Sequence, residues 1–286
     1  MENSKQKDYN SYDLLVTFNS TYKSRLAGTV GELQAGLYIR SLLEKMGYEV
    51  QQQSFSLRGN HSQNFIATKY GTNQENRNTL VVGTHYDCVS AGFGIDDNAS
   101  GVAIVLEAAQ YFATHPSEFT IVFAFWGAEE CGLVGSKFYV NNLSENQLKK
   151  ILLYINLDSL IAGDYNYVHA SEDVFARSIL RMCEAESEIK IQQGLHPDYP
   201  FGTAYPDNDH LPFEKKGIPY VYFESTNWEI DELDGFTQTA SVGSIWHTGK
   251  DKLEYMEKQF PGRINKSLEI FKWLLIKILS DYVYRR

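Results

Sequence analysis

Four short apolar runs punctuate the chain: TLVVGT (79–84), TIVFAFW (120–126), ILLYINL (151–157) and IPYVYF (218–223). None alternates apolar with polar residues as a half-exposed strand does, so each reads as a strand buried on both faces. Between the first two, Val102, Val105, Leu106 and Ala109 recur at helical spacing. Strand, helix and strand in that order predict a right-handed parallel crossover, and the fold class is α/β.

Earlier in the chain, Thr29 with Glu32 three residues on predicts a capping box. Leu33, Leu37, Leu43 and Met46 follow as a helical stripe, with Gly47 as the stop. Tyr48–Leu57 and Gln63–Tyr70 alternate as strands do, and an Asn-rich loop then leads to Leu80. Near the end, Leu268, Phe271, Leu274, Leu275, Ile278, Leu279 and Tyr282 repeat at helical spacing, interrupted by Lys272 and Lys277. That pattern predicts a helix docked on the core and no membrane anchor.

With 43% hydrophobic and 22% charged residues over 286 positions, and no linker-like tract, the chain is expected to form a single domain over residues 1–286. A net charge of −10 argues against a phosphate-binding surface, hence against nucleic acid, and suits cationic partners such as metals or amines. The opening MENSKQKDYN has no apolar leader segment, and Cys88, Cys131 and Cys183 are too few for a disulfide framework. Both point to a cytoplasmic protein, although a chain whose secretion signal had been replaced would look the same.

The apolar runs lead into clusters of metal-binding side chains. HYD follows the first run and DDNASG comes about ten residues later; GAEE follows the second; Asp158 ends the third; WHTGKD carries His247. The carboxyl ends of strands are where open α/β sheets place ligands. Two His and several carboxylates are a donor set for zinc, and two ions on a shared Asp would make hydroxide available near neutral pH. Any one of these short motifs is as often an ordinary surface or core pair; five in register are not. Adjacent Glu129 and Glu130 at a buried strand end are costly without a neutralising cation. Cys88 and Cys131 read as small buried hydrophobes, and His210 as a hydrogen-bonded core histidine.

HYD, DDNASG, AEECGLVGS, INLDS and WHTG, in this order and spacing, resemble the co-catalytic zinc aminopeptidases of metallopeptidase clan MH, from about Leu33 to the final helix. The resemblance implies a mixed, largely parallel central sheet with helices on both faces. It also implies two Zn²⁺ ions per chain, one on His85 and Asp158, the other on Glu130 and His247, with Asp97 bridging. Glu129 would be the general base, Asp87 would orient His85, and a cis peptide would join Asp97 to Asn98. Tyr205, in AYPDNDHLPFEKKGIP, would donate to the oxyanion; relatives that use a Tyr just before the late His find Trp246 here instead. The implied reaction is hydrolysis of the first bond of peptides with a free N-terminus, through a water that both metals activate.

The nearest alternative is glutaminyl-peptide cyclotransferase, which shares the fold and uses one zinc; the DNASG run favours the peptidase form. A catalytically silent binding module is the other, and would need an obstructed cleft. The acidic stretch Glu224, Glu229, Asp231, Glu232 and Asp234 reads as a solvated loop, or as a field drawing a basic first side chain. Trp228 and Phe236 within it are candidates for lining a side-chain pocket.

Overall fold

A computed structural model describes residues 9–57, 59–73 and 78–282. The reading of the first eight residues, part of the Asn-rich loop, and the side chain of Tyr282 lie outside what is described. In chain order come α1 (Ser11–Thr21), α2 (Val30–Lys45), β1 (Val50–Leu57), β2 (Asn60–Lys69), β3 (Thr79–His85), α3 (Ser100–Thr114), β4 (Thr120–Trp126), α4 (Val134–Asn141) and α5 (Glu145–Leu148). They are followed by β5 (Ile151–Leu157), β6 (Tyr165–Ala170), α6 (Val174–Glu186), β7 (Ile189–Lys190), α7 (Leu211–Glu214), β8 (Tyr220–Thr226), α8 (Leu253–Gln259) and α9 (Arg263–Lys277).

The strands form one mixed sheet in the order β1-β2-β4-β3-β5-β8-β6-β7. Its centre, β4-β3-β5-β8, is parallel, and antiparallel pairs bring in β2 on one side and β6 on the other. The four apolar runs are these four central strands. Their period-two geometry is hidden in the sequence because both faces are covered. Leu80, Val82, Phe123 and Ile155 pack with α1, α2, α3, α6 and α9. Val81, Val122 and Tyr154 pack on the opposite face with Tyr139 of α4 and Phe213 of α7.

Helix α2 starts where the cap predicts, with Thr29 accepting from the Glu32 amide at 3.4 Å. Its buried stripe differs from the predicted one: Ala35, Ile39, Leu42, Leu43 and Met46 are buried, Leu33 is half-buried and Leu37 is exposed. The contact face is set by Gly36, where an added Cβ would lie 2.1 Å from the Phe65 ring. A face of small residues lets the helix sit close on β2, so counting large apolar residues found Leu43 and Met46 but overrated Leu33 and Leu37. Gly36→Ala is expected to cost about 1–3 kcal/mol through overpacking, read as a lowered denaturation midpoint. Glu32 is no surface cap either. Its carboxylate is buried and accepts from Gly28 N, Ser62 Oγ and Ala128 N, tying α2 to the loop after β4.

The predicted terminal helix buries Leu268, Phe271, Leu274 and Leu275 against the core, and α9 packs on α3. Among the described residues no helix is long and apolar enough to cross a membrane. None of the three cysteines is in a disulfide.

Candidate active site

The chain leaves β3 for β4 on one side and reaches β5 on the other, so the strand order reverses beside β3. The crevice at the carboxyl ends of strands at such a switch point is where open α/β sheets bind ligands. His85 is the last residue of β3, Asp158 follows β5, and Glu129 and Glu130 follow β4. Asp97 lies in the kinked segment before α3, and His247 lies in the loop before α8.

Asp97 stands between two triads and gives one oxygen to each. His85 Nε2 is 3.1 Å from Asp97 Oδ1 and 3.2 Å from Asp158 Oδ1. His247 Nε2 is 3.1 Å from Asp97 Oδ2 and 3.0 Å from Glu130 Oε2. Within each triad the candidate ligand atoms lie within 4.8 Å of one another. His85 is buried, whereas the His247 side chain is 52% exposed, so the second triad faces the opening.

Several devices hold this arrangement. The Asp97–Asn98 peptide is cis. Asn98 donates to Thr84 Oγ1 and to the Leu157 carbonyl, stitching the segment to the ends of β3 and β5. Asp87 lies 3.5 Å from His85 Nδ1, and its two oxygens accept from the amides of Glu129 and Glu130. One carboxylate therefore backs the first triad and fixes the paired glutamates. Asp251 accepts from the amides of Asp96 and Asp97. Asp96 accepts from Ile161 N, Ala162 N and Gln238 Nε2, and Gln238 Oε1 holds the amides of Ile245 and Trp246, next to His247. Both triads are thus tied into one network.

Beneath Asp158 runs a relay that the sequence reading missed. Trp126 Nε1 donates to Tyr154 Oη (3.0 Å), Tyr154 Oη to Asn156 Oδ1 (2.9 Å), Asn156 Nδ2 to Asn208 Oδ1 (2.7 Å), and Asn208 Nδ2 to Asp158 Oδ2 (2.6 Å). Gly83 makes room for it: a Cβ there would meet Tyr154 Oη at 2.3 Å and Trp126 Nε1 at 2.4 Å. The available signal was Tyr154 and Asn156, two polar-tipped residues in an otherwise apolar run.

The electrostatics are those of a site built for cations. Burial pushes Glu129 well above the usual carboxylate range, and Asp209, Asp158 and Glu130 push it further against the opposing His85. Burial and Asp97 raise Glu130 to about 7. Burial would raise Asp97 as well, but hydrogen bonds to His247 and His85 outweigh it and hold it well below its ordinary value. Hydrogen bonds to Asp97 and Glu130 raise His247 to about 11. Glu130 Oε1 is buried and has no hydrogen-bond partner among the described residues. Crowded carboxylates and an orphaned carboxylate oxygen fit divalent metal, and mixed imidazole and carboxylate donors suit zinc.

Asp97, Glu129, Glu130, Asp158, Tyr205 and His247 open on a cavity of about 410 Å³, so the cleft is not obstructed. Tyr205 stands on its wall, ring to ring with Phe236 at 4.9 Å, and makes no hydrogen bond to the triads. Trp246 and Phe236 also line it, while Trp228 is buried behind the wall. The acidic stretch does not act as one unit. Glu224 is buried on β8, Glu229 pairs with Lys190, Asp231 and Glu232 are exposed, and Asp234 reaches the cavity. His210 is a core residue, but neither ring nitrogen has a hydrogen-bond partner among the described residues; the ring lies 4.2 Å from that of Tyr220. A larger groove of about 620 Å³, lined by Asp164, Arg263 and Lys266, lies away from both triads.

Comparison with known proteins agrees with this architecture. The chain is 28% identical over 303 residues to the alkaline phosphatase isozyme conversion protein of Escherichia coli, covering 91% of this chain and 86% of that protein. It is 32% identical over 212 residues to the aminopeptidase YwaD of Bacillus subtilis, covering 69% of this chain and 41% of the relative's length. The chain thus spans less than half of that second protein. Its fold matches a zinc aminopeptidase from Bacillus subtilis with a TM-score of 0.77 at 18% identity, over 97% of each chain. It also matches a glutaminyl cyclase of Porphyromonas gingivalis with a TM-score of 0.69 at 21% identity, over 94% of this chain and 96% of the other. The sequence model of peptidase family M28 matches residues 64–269, and the chain belongs to that family.

Proposed function

We propose that this chain is a zinc-dependent aminopeptidase acting on peptides with a free N-terminus. The observation that carries the reading is the pair of triads sharing Asp97 through opposite oxygens. His85, Asp158 and Asp97 would hold one zinc; Glu130, His247 and Asp97 would hold the other. Zinc held there would supply Lewis-acid polarisation of the scissile carbonyl and would lower the pKa of water from 15.7 to about 7. Glu129, fixed through its amide by Asp87, takes the proton of the attacking water and returns it to the departing amine as the C–N bond breaks. Tyr205, on the cavity wall, donates to the carbonyl oxygen as negative charge develops there. The carboxylates around the cavity attract the substrate's ammonium.

The test is hydrolysis of aminoacyl amides by protein stripped with a chelator and reloaded with zinc, beside N-acetylated versions of the same substrates. Activity should vanish on stripping, return on reloading, and be far lower on the blocked substrates. Full activity in metal-free protein would overturn the reading. The likeness to a glutaminyl cyclase supports a second one, release of ammonia from N-terminal glutamine at a single zinc. Two zinc ions per chain and free glutamine as product favour the peptidase; one ion and a cyclised product favour the cyclase.

Asn208 supplies a further prediction. Asn208→Ala removes the donor to Asp158 and leaves the Asn156 amide without its acceptor. Zinc affinity at the His85 triad should fall about 10–100-fold, the usual effect of losing a group that orients a ligand, measured by competition with a calibrated chelator.

A further inference from the structure

Glu224 reaches the wall of the candidate active-site cavity with only 9% of its side chain exposed. Its Oε1 is hydrogen-bonded to His169 Nε2 (2.7 Å) and accepts from Trp228 Nε1 (2.6 Å), and its Oε2 accepts from Tyr222 Oη (3.1 Å). A carboxylate has about four acceptor positions. Three are filled by protein donors, and one on Oε2 has none among the described residues.

His169 decides what this carboxylate presents. Its Nδ1 lies 2.9 Å from the Thr203 carbonyl, which can only accept, so Nδ1 carries a hydrogen. The proton between Nε2 and Glu224 then belongs either to an imidazolium beside a carboxylate or to a carboxylic acid beside a neutral imidazole. Either way the buried pair has no net charge. The rings of Tyr167, Tyr222 and Trp228, at 5.9, 5.7 and 5.4 Å from that of His169, enclose it without adding any.

We infer that Glu224 and His169 form the specificity-determining end of the first-residue pocket, selecting an uncharged side chain that ends in a hydrogen-bond donor and refusing basic ones. The inference rests on the aminopeptidase reading of the same cavity. A terminal amide N–H fills the open acceptor position. An apolar side chain of the same length buries that position unpaired. A lysine brings a charge that the neutral pair cannot compensate, so the acidic composition of this stretch does not make a pocket for basic residues.

The test is calorimetric binding of glutaminamide, its near-isostere methioninamide, lysinamide and the α-amide of glutamate to zinc-loaded protein carrying Glu129→Gln, which keeps the metal but scarcely turns amides over, alongside turnover of the matching p-nitroanilides by protein with Glu129 intact. Glutaminamide should bind at least about tenfold more tightly than methioninamide or lysinamide. Glu224→Gln turns the open acceptor into a donor, so the α-amide of glutamate should gain about tenfold relative to glutaminamide. His169→Gln leaves Glu224 uncompensated, so lysinamide should gain by a similar factor; either variant suffices if the other fails to fold. Equal binding of glutaminamide and methioninamide, or tightest binding of lysinamide, overturns the inference. If the expected binding order holds but no anilide is hydrolysed, the peptidase reading fails and the pocket assignment stands.

Discussion

Glu129→Gln is expected to keep its zinc and to lose about 10²–10⁴ in kcat, the range for a missing general base, equivalent to about 3–5 kcal/mol. Its shape is conserved, and the amide that anchors it to Asp87 is main chain, so the substitution leaves the loop after β4 in place. KM should change little. Glu130→Gln, one residue on, is expected to behave differently, because Glu130 Oε2 faces His247 in the second triad. Its zinc should be held more weakly, and excess zinc should recover part of the activity. Metal content and zinc titration of the two purified variants separate the roles. A Glu129 variant that loses zinc beside a Glu130 variant that keeps it would reverse them.

Asp97→Asn should have the widest effect, since this carboxylate gives one oxygen to each triad. An amide keeps one oxygen and turns a nitrogen, which cannot serve as a ligand here, toward the other triad. No more than one zinc should remain per chain, bound more weakly than in the parent, and excess zinc should not restore turnover. Thermal stability reports this without any substrate. A ligand at 100 times its Kd adds about 2.7 kcal/mol per site, and the variant should forgo most of that zinc-dependent gain. Wild-type zinc content and an unchanged zinc-dependent rise in melting temperature would show that Asp97 is not shared.

Much of this was legible in the sequence, for identifiable reasons. The central strands were readable because burial on both faces leaves an unbroken apolar run, as in TIVFAFW of β4. His85, Glu129, Glu130 and Asp158 were readable as candidates because each stands at the end of such a run, where the chain must emerge at the same edge of the sheet, whereas Asp97 and His247 lie in loops and were picked out by their motifs. What escaped depends on partners distant in sequence. Asn208 meets Asp158 fifty residues away, and Gln238 meets Asp96 142 residues away, so no local spacing announces either. Glu32 looked like half of a capping box, but one of its oxygens is claimed by the distant donors Ser62 Oγ and Ala128 N. Strand β6 escaped because Asn166 and His169 are buried among its apolar residues, and α6 was passed over although Ala176, Ile179, Leu180, Met182 and Cys183 form an apolar face at helical spacing. Leu37 misled because volume is a poor guide where close approach requires small side chains, as Gly36 does against Phe65.

The relay from Trp126 to Asp158 has only one possible sense. An indole N–H can only donate and an ionised carboxylate can only accept, so every hydroxyl and amide between them is oriented. Neither Asn156 nor Asn208 can flip without setting two like groups against each other. Four bond dipoles therefore add head to tail, each polarising the next, with the positive end on the carboxylate. The interior of the sheet thus works as a small fixed electrode under the crowded carboxylates of the two triads, and it offsets part of that charge before any cation arrives.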